Sequence, residues 1–321
     1  VSLVWYLENV FYPTASEMVH YLQKNIFNGN ELKNDLLNLG FWPGGDRDGN
    51  PFVTTEITLK VAERLRTSIL KCYYTDVRKL KRKLTFTGVD VIIAELENKL
   101  YRSVFYSQGE IFISLEEFKT QLHNIKNIII EKHQSLYVDE VDLLLNKVNL
   151  FGFHFATLDI RQNSKIHKAV FQDIVQKEKS LFPADYFNLS ETAKIDILSK
   201  ASAQLKASDF DNEITKETIS SIEAIRTIQE NNGELGCNRY IISNNESALN
   251  VMETLAMFQL CDWNNPSVDV VPLFESVEDL HKADSVMEQL YMNSVYANHL
   301  KNRGNQQTIM LGFSDGTKDG G

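Results

Sequence analysis

The chain has 321 residues, of which 43% are hydrophobic and 24% are charged, the composition of an ordinary globular protein. Its formal net charge of -10 argues against nucleic acid as a partner, because a phosphate backbone requires a basic surface. Three widely spaced cysteines without a CxxC pair indicate neither a disulfide framework nor a zinc site, and no apolar run has the ~20 residues of a membrane span. We therefore expect a cytoplasmic protein that does not bind membranes.

The first region of the chain, residues 1–147, is predicted to be helical. Its apolar residues recur at the three- and four-residue spacing of an amphipathic helix. At Ser114 a Ser-x-x-Glu capping box marks a helix start. The predicted helices cover residues 1–27, 55–84, 116–133 and 138–148.

The first two of these helices flank the stretch FWPGGDRDGNPFVT, residues 41–54. Asp46, Asp48 and Asn50 alternate as the first ligands of a calcium-binding EF-hand loop would. The sixth position of such a loop would be Pro51, which cannot form the turn that glycine forms there. We therefore interpret the stretch as a tight turn before a threonine-capped helix, and leave a further purpose of its charged residues open.

From about residue 148 onward, short apolar runs alternate with helical patterns. This alternation predicts parallel strands with helical crossovers, so the second region, residues 148–321, is expected to consist of βα repeats. The predicted strands are 151–158, 239–243, 268–274 and 308–313, and the predicted helices are 165–178, 191–206, 215–231, 246–260 and 276–303.

The number of predicted strands leaves two architectures open. A closed β/α barrel needs eight strands, and about four are predicted here. The sheet is therefore either open or part of a larger barrel. The chain starts at Val1 without methionine and finishes in LGFSDGTKDGG, where no helix is expected, and we take both features as signs of a piece of a longer chain.

Polar residues with complementary chemistry follow the predicted strands. Polar residues at a strand end are ordinary surface features, but the carboxyl ends of barrel strands also form the active-site face. Glu275 and Asp315 are carboxylates that suit Mg²⁺ or Mn²⁺. Arg161 offers a planar fork for a phosphate, and Lys318 offers a positive charge where negative charge develops. The set indicates metal-assisted chemistry on a small phosphorylated acid.

Four stretches of the chain resemble, in order, motif regions of the phosphoenolpyruvate carboxylases. The family typically shows GGDRDGNP, LDIRQ, PLFETxxDL and GYSDSxKDxG, and one such match alone would not be specific. The matching stretches are GGDRDGNPFVT (44–54), FATLDIRQNS (155–164), VPLFESVEDL (271–280) and MLGFSDGTKDGG (310–321). The resemblance implies a mainly α-helical protein whose parallel β/α elements are part of an incomplete TIM-like barrel surrounded by helices.

The resemblance also implies a reaction and the residues that carry it. The family consists of carbon–carbon lyases that convert phosphoenolpyruvate and bicarbonate to oxaloacetate and phosphate, an anaplerotic carbon fixation, with Mg²⁺ or Mn²⁺ and without biotin. By motif position, Glu275 and Asp315 resemble the metal ligands. Arg161 resembles the residue that binds the substrate phosphoryl group, and Lys318 resembles the lysine beside the reacting centre. The parent protein is expected to be a homo-oligomer, by resemblance a tetramer.

Two parts of the resemblance remain open. The loop residues Asp46, Arg47 and Asp48 could serve structure, a subunit contact or regulation by a sugar phosphate. The family's THPT-like histidine motif and FHGRGG-like arginine loop do not occur in the 321 residues, so we expect an internal segment that is inactive alone. The alternatives are a non-catalytic scaffold or regulatory carboxylase-like domain, and another Mg²⁺-dependent barrel enzyme acting on phosphoenolpyruvate or an enolate.

Overall fold

The chain divides into two compact units. A computed structural model describes residues 2–29, 37–50, 52–106 and 112–320. The first unit comprises residues 1–40 and 61–157, and the second comprises residues 41–60 and 158–321. All the candidate site residues belong to the second unit, which also contains the glycine-rich loop.

The described part of the first unit is helical, as its apolar periodicity predicts. Ser114 caps a helix start, because its hydroxyl accepts a hydrogen bond from the Glu117 N–H at 3.1 Å. Tyr73 lies at the centre of the core, where its hydroxyl donates to the Gly152 carbonyl at 2.8 Å. The helices with residues in this unit are α1 (Ser2–Tyr6), α2 (Tyr12–Asn25), α3 (Thr55–Lys81), α4 (Asp90–Phe105), α5 (Leu115–Lys132) and α6 (Val138–Phe151), and a π-helical turn (Leu7–Phe11) joins the first two.

The prediction of a strand over residues 151–158 is wrong for most of that stretch. Phe151 ends α6, and Gly152 and Phe155 have φ angles of 46° and 66°, which an extended strand cannot contain. Only Thr157–Leu158 forms a strand, β2, which pairs with β1 (Gly40–Phe41). The run is apolar because its aromatic rings are buried, and hydrophobicity alone does not distinguish a buried turn from a buried strand.

Within the described residues, the second unit contains a four-stranded parallel sheet with its strands in chain order. The predicted parallel pairing of strands is therefore confirmed. The strands are β3 (Ile160–Asn163), β4 (Arg239–Ser243), β5 (Asp269–Phe274) and β6 (Met310–Leu311). The helices are α7 (Ser164–Lys177), α8 (Glu191–Leu198), α9 (Glu213–Asn232), α10 (Ala248–Leu260), α11 (Val277–Met292), α12 (Ser294–Asn302) and α13 (Phe313–Gly320), with short 3₁₀ turns at Tyr186–Asn188, Ala207–Asp209 and Glu234–Gly236.

Two predicted helix boundaries in this unit are wrong, and one helix was not predicted. The helix predicted over 276–303 is two helices, because the Asn293 side chain accepts from the N–H groups of Val295 and Tyr296 and starts α12. The helix predicted over 191–206 ends at Leu198. A helix, α13, follows the last strand where none was expected, since its glycine-rich sequence has low helix propensity. No helix in the described ranges is both long enough and apolar enough to cross a membrane.

The two faces of the sheet have different neighbours. Tyr240 projects from β4 toward the helices, where its hydroxyl lies 3.0 Å from His167 Nε2 of α7 and its ring packs against Phe258 of α10. Ile241, the next residue, lies on the opposite face, where it packs with Val271 and Leu273 and with the partly buried Trp42 and Met310. Successive side chains along a strand point to opposite faces, so neighbouring residues of β4 contact different parts of the unit.

The outer edge of β3 is paired with the glycine-rich loop. Asp46 bridges to Arg161 in parallel: the Arg47 N–H donates to the Arg161 carbonyl at 2.9 Å, and the Arg161 N–H donates to the Gly45 carbonyl at 3.0 Å. A Cβ atom at Gly45 would lie 2.0 Å from the carbonyl oxygen of Asp159. The loop can therefore reach the edge of the sheet because residue 45 has no side chain.

Replacing Gly45 by alanine should destabilise the chain by about 2 kcal/mol or more, because the new methyl group overlaps a backbone oxygen that cannot swing away. Urea unfolding followed by circular dichroism measures the loss. Gly316→Ala is the matched control, since a Cβ there would meet its nearest neighbour, the Glu275 carbonyl oxygen, at an ordinary 3.6 Å. Equal unfolding midpoints for Gly45→Ala and the unmodified chain would show that the loop is not paired as described.

Candidate active site

Arg161 is the centre of a charged cluster on the sheet. It lies within β3, not beyond a strand end as predicted, and its register partner is Ile241, so it projects from the face opposite the helices. Its Nη2 lies 2.9 Å from Asp48 Oδ2 and 3.2 Å from Glu275 Oε1, and its Nη1 lies 3.5 Å from Asp46 Oδ2. The Arg161 side chain is 16% exposed, which strengthens these charge-assisted contacts relative to a surface ion pair.

Glu275 is held between the ends of two strands. It follows β5 directly, and while its Oε1 contacts Arg161, its Oε2 accepts a hydrogen bond of 2.6 Å from the Asn244 N–H beyond β4. Gly312 leaves space for the carboxylate, because a Cβ atom there would lie 3.1 Å from Glu275 Cγ. The structure thus brings together Arg161 and Glu275, two of the residues that the sequence selects.

The other two selected residues lie on α13. The Gly312 N–H donates to the Phe274 carbonyl at 2.9 Å, and a Cβ at Gly316 would lie 3.6 Å from the Glu275 carbonyl oxygen. The backbone therefore passes beside Glu275 at residues 312–316. The side chain of Asp315 is outside the described part of the structure, so a shared metal site with Glu275 stays a prediction. Lys318 is exposed on the last turn of α13.

Arg47 serves as a structural anchor of the loop. Its Nη1 donates to the Glu217 carbonyl at 2.9 Å, its Nη2 donates to the Thr55 hydroxyl at 2.8 Å, and the Glu217 carboxylate lies 3.6 Å away. Arg47 is 7% exposed, and this burial lowers the pKa of its guanidinium while Glu217 acts in the opposite direction. The two aspartates on either side of Arg47 contact Arg161 instead, so the loop presents acids to one side and its cation to the other.

Trp42 and Asn163 are further members of the site that the sequence analysis missed. The Arg161 guanidinium lies 5.6 Å from the Trp42 ring centroid, and Trp42 Nε1 donates to Asp159 at 3.0 Å. Asn163 Nδ2 donates to Asp48 Oδ1 at 3.2 Å. The two-residue period of a strand, which puts residues 161 and 163 on one face, was the available signal for Asn163.

A second, partly buried ion pair is connected to the cluster through Trp42. Arg239 Nε donates to Asp159 Oδ1 at 2.7 Å. Burial raises the pKa of Asp159, and the hydrogen bonds from Arg239 and Trp42 oppose that rise. This pair joins the residue before β3 to the first residue of β4.

A cavity of about 640 Å³ opens beside the loop. It is lined by Asp48 and Asn163 together with apolar side chains that include Val53, Ile166 and Ile214. Neither Arg161 nor Glu275 lines it, so the cavity adjoins the charged cluster without containing the groups expected to react. We therefore place the candidate site by its chemistry, on the Arg161 and Glu275 side of Asp48.

The donor chemistry of Glu275 fits a hard divalent cation. Its Oε1 contacts the Arg161 guanidinium and its Oε2 accepts a hydrogen bond from the Asn244 N–H, and a carboxylate offers about four lone-pair sites in all. Oxygen donors of this kind suit Mg²⁺ or Mn²⁺. No group of three or more His, Cys, Asp or Glu side chains in the described ranges is arranged to hold a metal ion by itself.

Replacing Arg161 by glutamine should destabilise the chain by about 1–3 kcal/mol at pH 7, because it leaves neighbouring carboxylates without their shared cation. Urea titration gives the change in free energy of unfolding. Arg78→Gln is the control: its Nε lies 4.0 Å from Glu97 and its side chain is 57% exposed, so its loss should be near zero. Similar small losses for both variants would contradict a cluster centred on Arg161.

Comparison with known proteins agrees with the motifs. The family model described as phosphoenolpyruvate carboxylase matches residues 4–104 and 92–321. Three relatives named phosphoenolpyruvate carboxylase, from Nitrosomonas eutropha, Nitrosomonas europaea and Corynebacterium glutamicum, are 29%, 28% and 27% identical over 89%, 89% and 88% of this chain. In each case the match covers 36% of the relative, so the chain spans about a third of the length of these curated relatives. The resemblance is confirmed, and the chain belongs to the phosphoenolpyruvate carboxylase family.

Proposed function

We propose that this chain supplies part of the active site of an enzyme that converts phosphoenolpyruvate and bicarbonate to oxaloacetate and phosphate. One observation carries the proposal. Arg161 lies on β3 and Glu275 directly follows β5, 114 positions away in sequence, and their side chains are 3.2 Å apart. A cation that can bind a phosphoryl group and a carboxylate that can bind a metal ion are thus neighbours.

Arg161 is proposed to bind the substrate phosphoryl group. Its Nη2 already contacts two carboxylates, and its buried Nε has no hydrogen-bond partner among the described residues. A buried, unsatisfied guanidinium N–H is costly, and a phosphoryl oxygen is an acceptor that would satisfy it. Lys318 is proposed to add a second positive charge near the reacting centre, where negative charge accumulates.

Glu275 and Asp315 are proposed to hold Mg²⁺ or Mn²⁺, without biotin. When bound, the ion supplies Lewis-acid stabilisation of negative charge on a substrate oxygen. The Asn244 N–H orients the Glu275 carboxylate through its 2.6 Å hydrogen bond. Gly312 keeps the space around that carboxylate open.

The apolar side chains beside Arg161 are proposed to exclude water from the reaction. Ile241, Val271 and Leu273 are each at most 3% exposed and offer no side-chain hydrogen bonds. An enolate formed next to these side chains would be protected from water. Without that protection, protonation of the enolate would give pyruvate.

The architecture and assembly of the whole protein are also proposals. The parallel strands in chain order, with an apolar face and polar residues toward their carboxyl ends, support part of a TIM-like barrel surrounded by helices. By family membership we propose a cytoplasmic homo-oligomer.

The metal assignment predicts weak Mn²⁺ binding to the isolated chain, because two carboxylates are a minimal ligand set. Isothermal titration calorimetry should show this binding, and Glu275→Ala should remove it. Glu278→Ala is the matched control, since that exposed carboxylate pairs with Lys282 on the surface of α11. An unchanged titration for Glu275→Ala would reject the assignment.

The phosphoryl assignment is tested on the same samples. With Mn²⁺ present, phosphoenolpyruvate should shift NMR signals of residues around β3, and Arg161→Gln should lose that response. If Arg161→Gln binds phosphoenolpyruvate as well as the unmodified chain does, the proposed role of Arg161 is wrong.

We further predict that the isolated chain has no carboxylase activity, since it corresponds to 36% of the length of its relatives. A coupled assay that follows oxaloacetate from phosphoenolpyruvate, bicarbonate and Mg²⁺ measures this. A mock purification from the same host sets the background, and turnover above it would overturn the prediction.

A further inference from the structure

The carboxylate of Asp48 bridges two side chains of β3. Its Oδ2 lies 2.9 Å from Arg161 Nη2, and its Oδ1 accepts a hydrogen bond of 3.2 Å from Asn163 Nδ2. Arg161 and Asn163 alternate with Gln162 and therefore project from the same face of the strand. Both oxygens of the Asp48 carboxylate therefore contact side chains on that face. An accidental surface ion pair would need only one such contact.

We propose that Asp48 is a positioning residue, which fixes the plane of the Arg161 guanidinium so that it faces Glu275 and the substrate phosphoryl group. The inference rests on the proposed phosphoryl-binding role of Arg161 and extends it. It also assigns a role to the GGDRDGN loop, which pairs with the edge of the sheet and places the Asp48 carboxylate beside Arg161.

Asp48 is better placed for this duty than Asp46. Asp46 Oδ2 is 3.5 Å from Arg161 Nη1, longer than a normal N–H···O hydrogen bond. Asp46 Oδ1 instead accepts from the Asp48 N–H at 3.3 Å, within the loop itself. The Asp46 side chain is also more exposed, 31% against 21% for Asp48. Asp46 shapes the turn, and Asp48 holds the arginine.

The loop is rigid enough to position a side chain. Its backbone pairs with β3 on both sides of Asp46, and Arg47 anchors it to Glu217 and Thr55 from the other direction. The Thr58 hydroxyl donates to the Gly44 carbonyl at 2.7 Å. The loop backbone is therefore held by contacts that do not involve the Asp48 carboxylate.

Charge alone does not explain why an acid stands at position 48. A second carboxylate beside Arg161 opposes the approach of an anionic phosphoryl group. An acid here is useful if the orientation of the guanidinium matters more than the added repulsion. Arginine loses side-chain freedom when a fixed carboxylate holds one of its Nη groups, and that loss then occurs in folding rather than on substrate binding.

The test measures the motion of Arg161 without any ligand. In the ¹³C,¹⁵N-labelled chain, exchange between the two Nη signals of Arg161 in NMR spectra reports the rate of rotation about its Cζ–Nε bond. These signals are assigned by comparison with Arg161→Lys, in which they are absent. Asp48→Asn keeps the size and the Oδ1 acceptor but removes the charge, and it should speed this rotation about tenfold or more. Asp46→Asn is the control in the same loop and should change it little.

An unchanged rotation rate in folded Asp48→Asn, or an equal increase in Asp46→Asn, would overturn the proposal. If Asp48→Asn does not fold, the unmodified chain decides. A scalar coupling across the hydrogen bond between Arg161 Nη2 and the Asp48 carboxyl carbon supports the proposal, and its absence beside a measurable coupling to Glu275 overturns it. If the unmodified chain gives no phosphoenolpyruvate response while its Arg161 signals still show the slow rotation, the proposed function is refuted and the positioning role of Asp48 stands. The two results can be separated because the rotation measurement uses no substrate.

Discussion

The second unit depends on one backbone contact, the parallel pairing of the glycine-rich loop with the edge of β3. Gly45 and Arg47 share two hydrogen bonds with the backbone of Arg161, and this pairing needs the close approach to Asp159 that glycine permits. The pairing satisfies backbone groups that would otherwise lie open on an edge strand. It also decides which loop side chains face Arg161, so the chemistry of the cluster follows from the geometry of the edge.

Carboxylates predominate among the charged groups that contact Arg161. Among the described side chains, three carboxylates lie within 3.5 Å of the guanidinium of Arg161, namely those of Asp46, Asp48 and Glu275. Partly buried carboxylates that lie close together favour the arrival of a divalent cation. We propose that such a cation offsets the negative charge of these carboxylates and so makes the site acceptable to a phosphorylated acid.

Local sequence patterns predicted much of this fold. The strand 239–243 and the helices near 165–178 and 246–260 follow from periodicity and are found within a few residues. The buried turn before Thr157 and the helix at 313–320 were missed, because tertiary packing overrides local preference there. The motifs selected Arg161 and Glu275, whereas the contact of Asp48 with Arg161 joins residues 113 positions apart and cannot be read from either motif alone.

The alternation along the loop has a consequence for what its sequence can tolerate. Asp46 and Asp48 face Arg161, while Arg47 between them faces Glu217. One residue inserted between Gly45 and Asp48 would exchange these directions, bringing like charges together on one side and placing an acid against a buried carbonyl on the other. We therefore expect natural variants to keep the number of residues in this loop more strictly than the identity of any single residue in it.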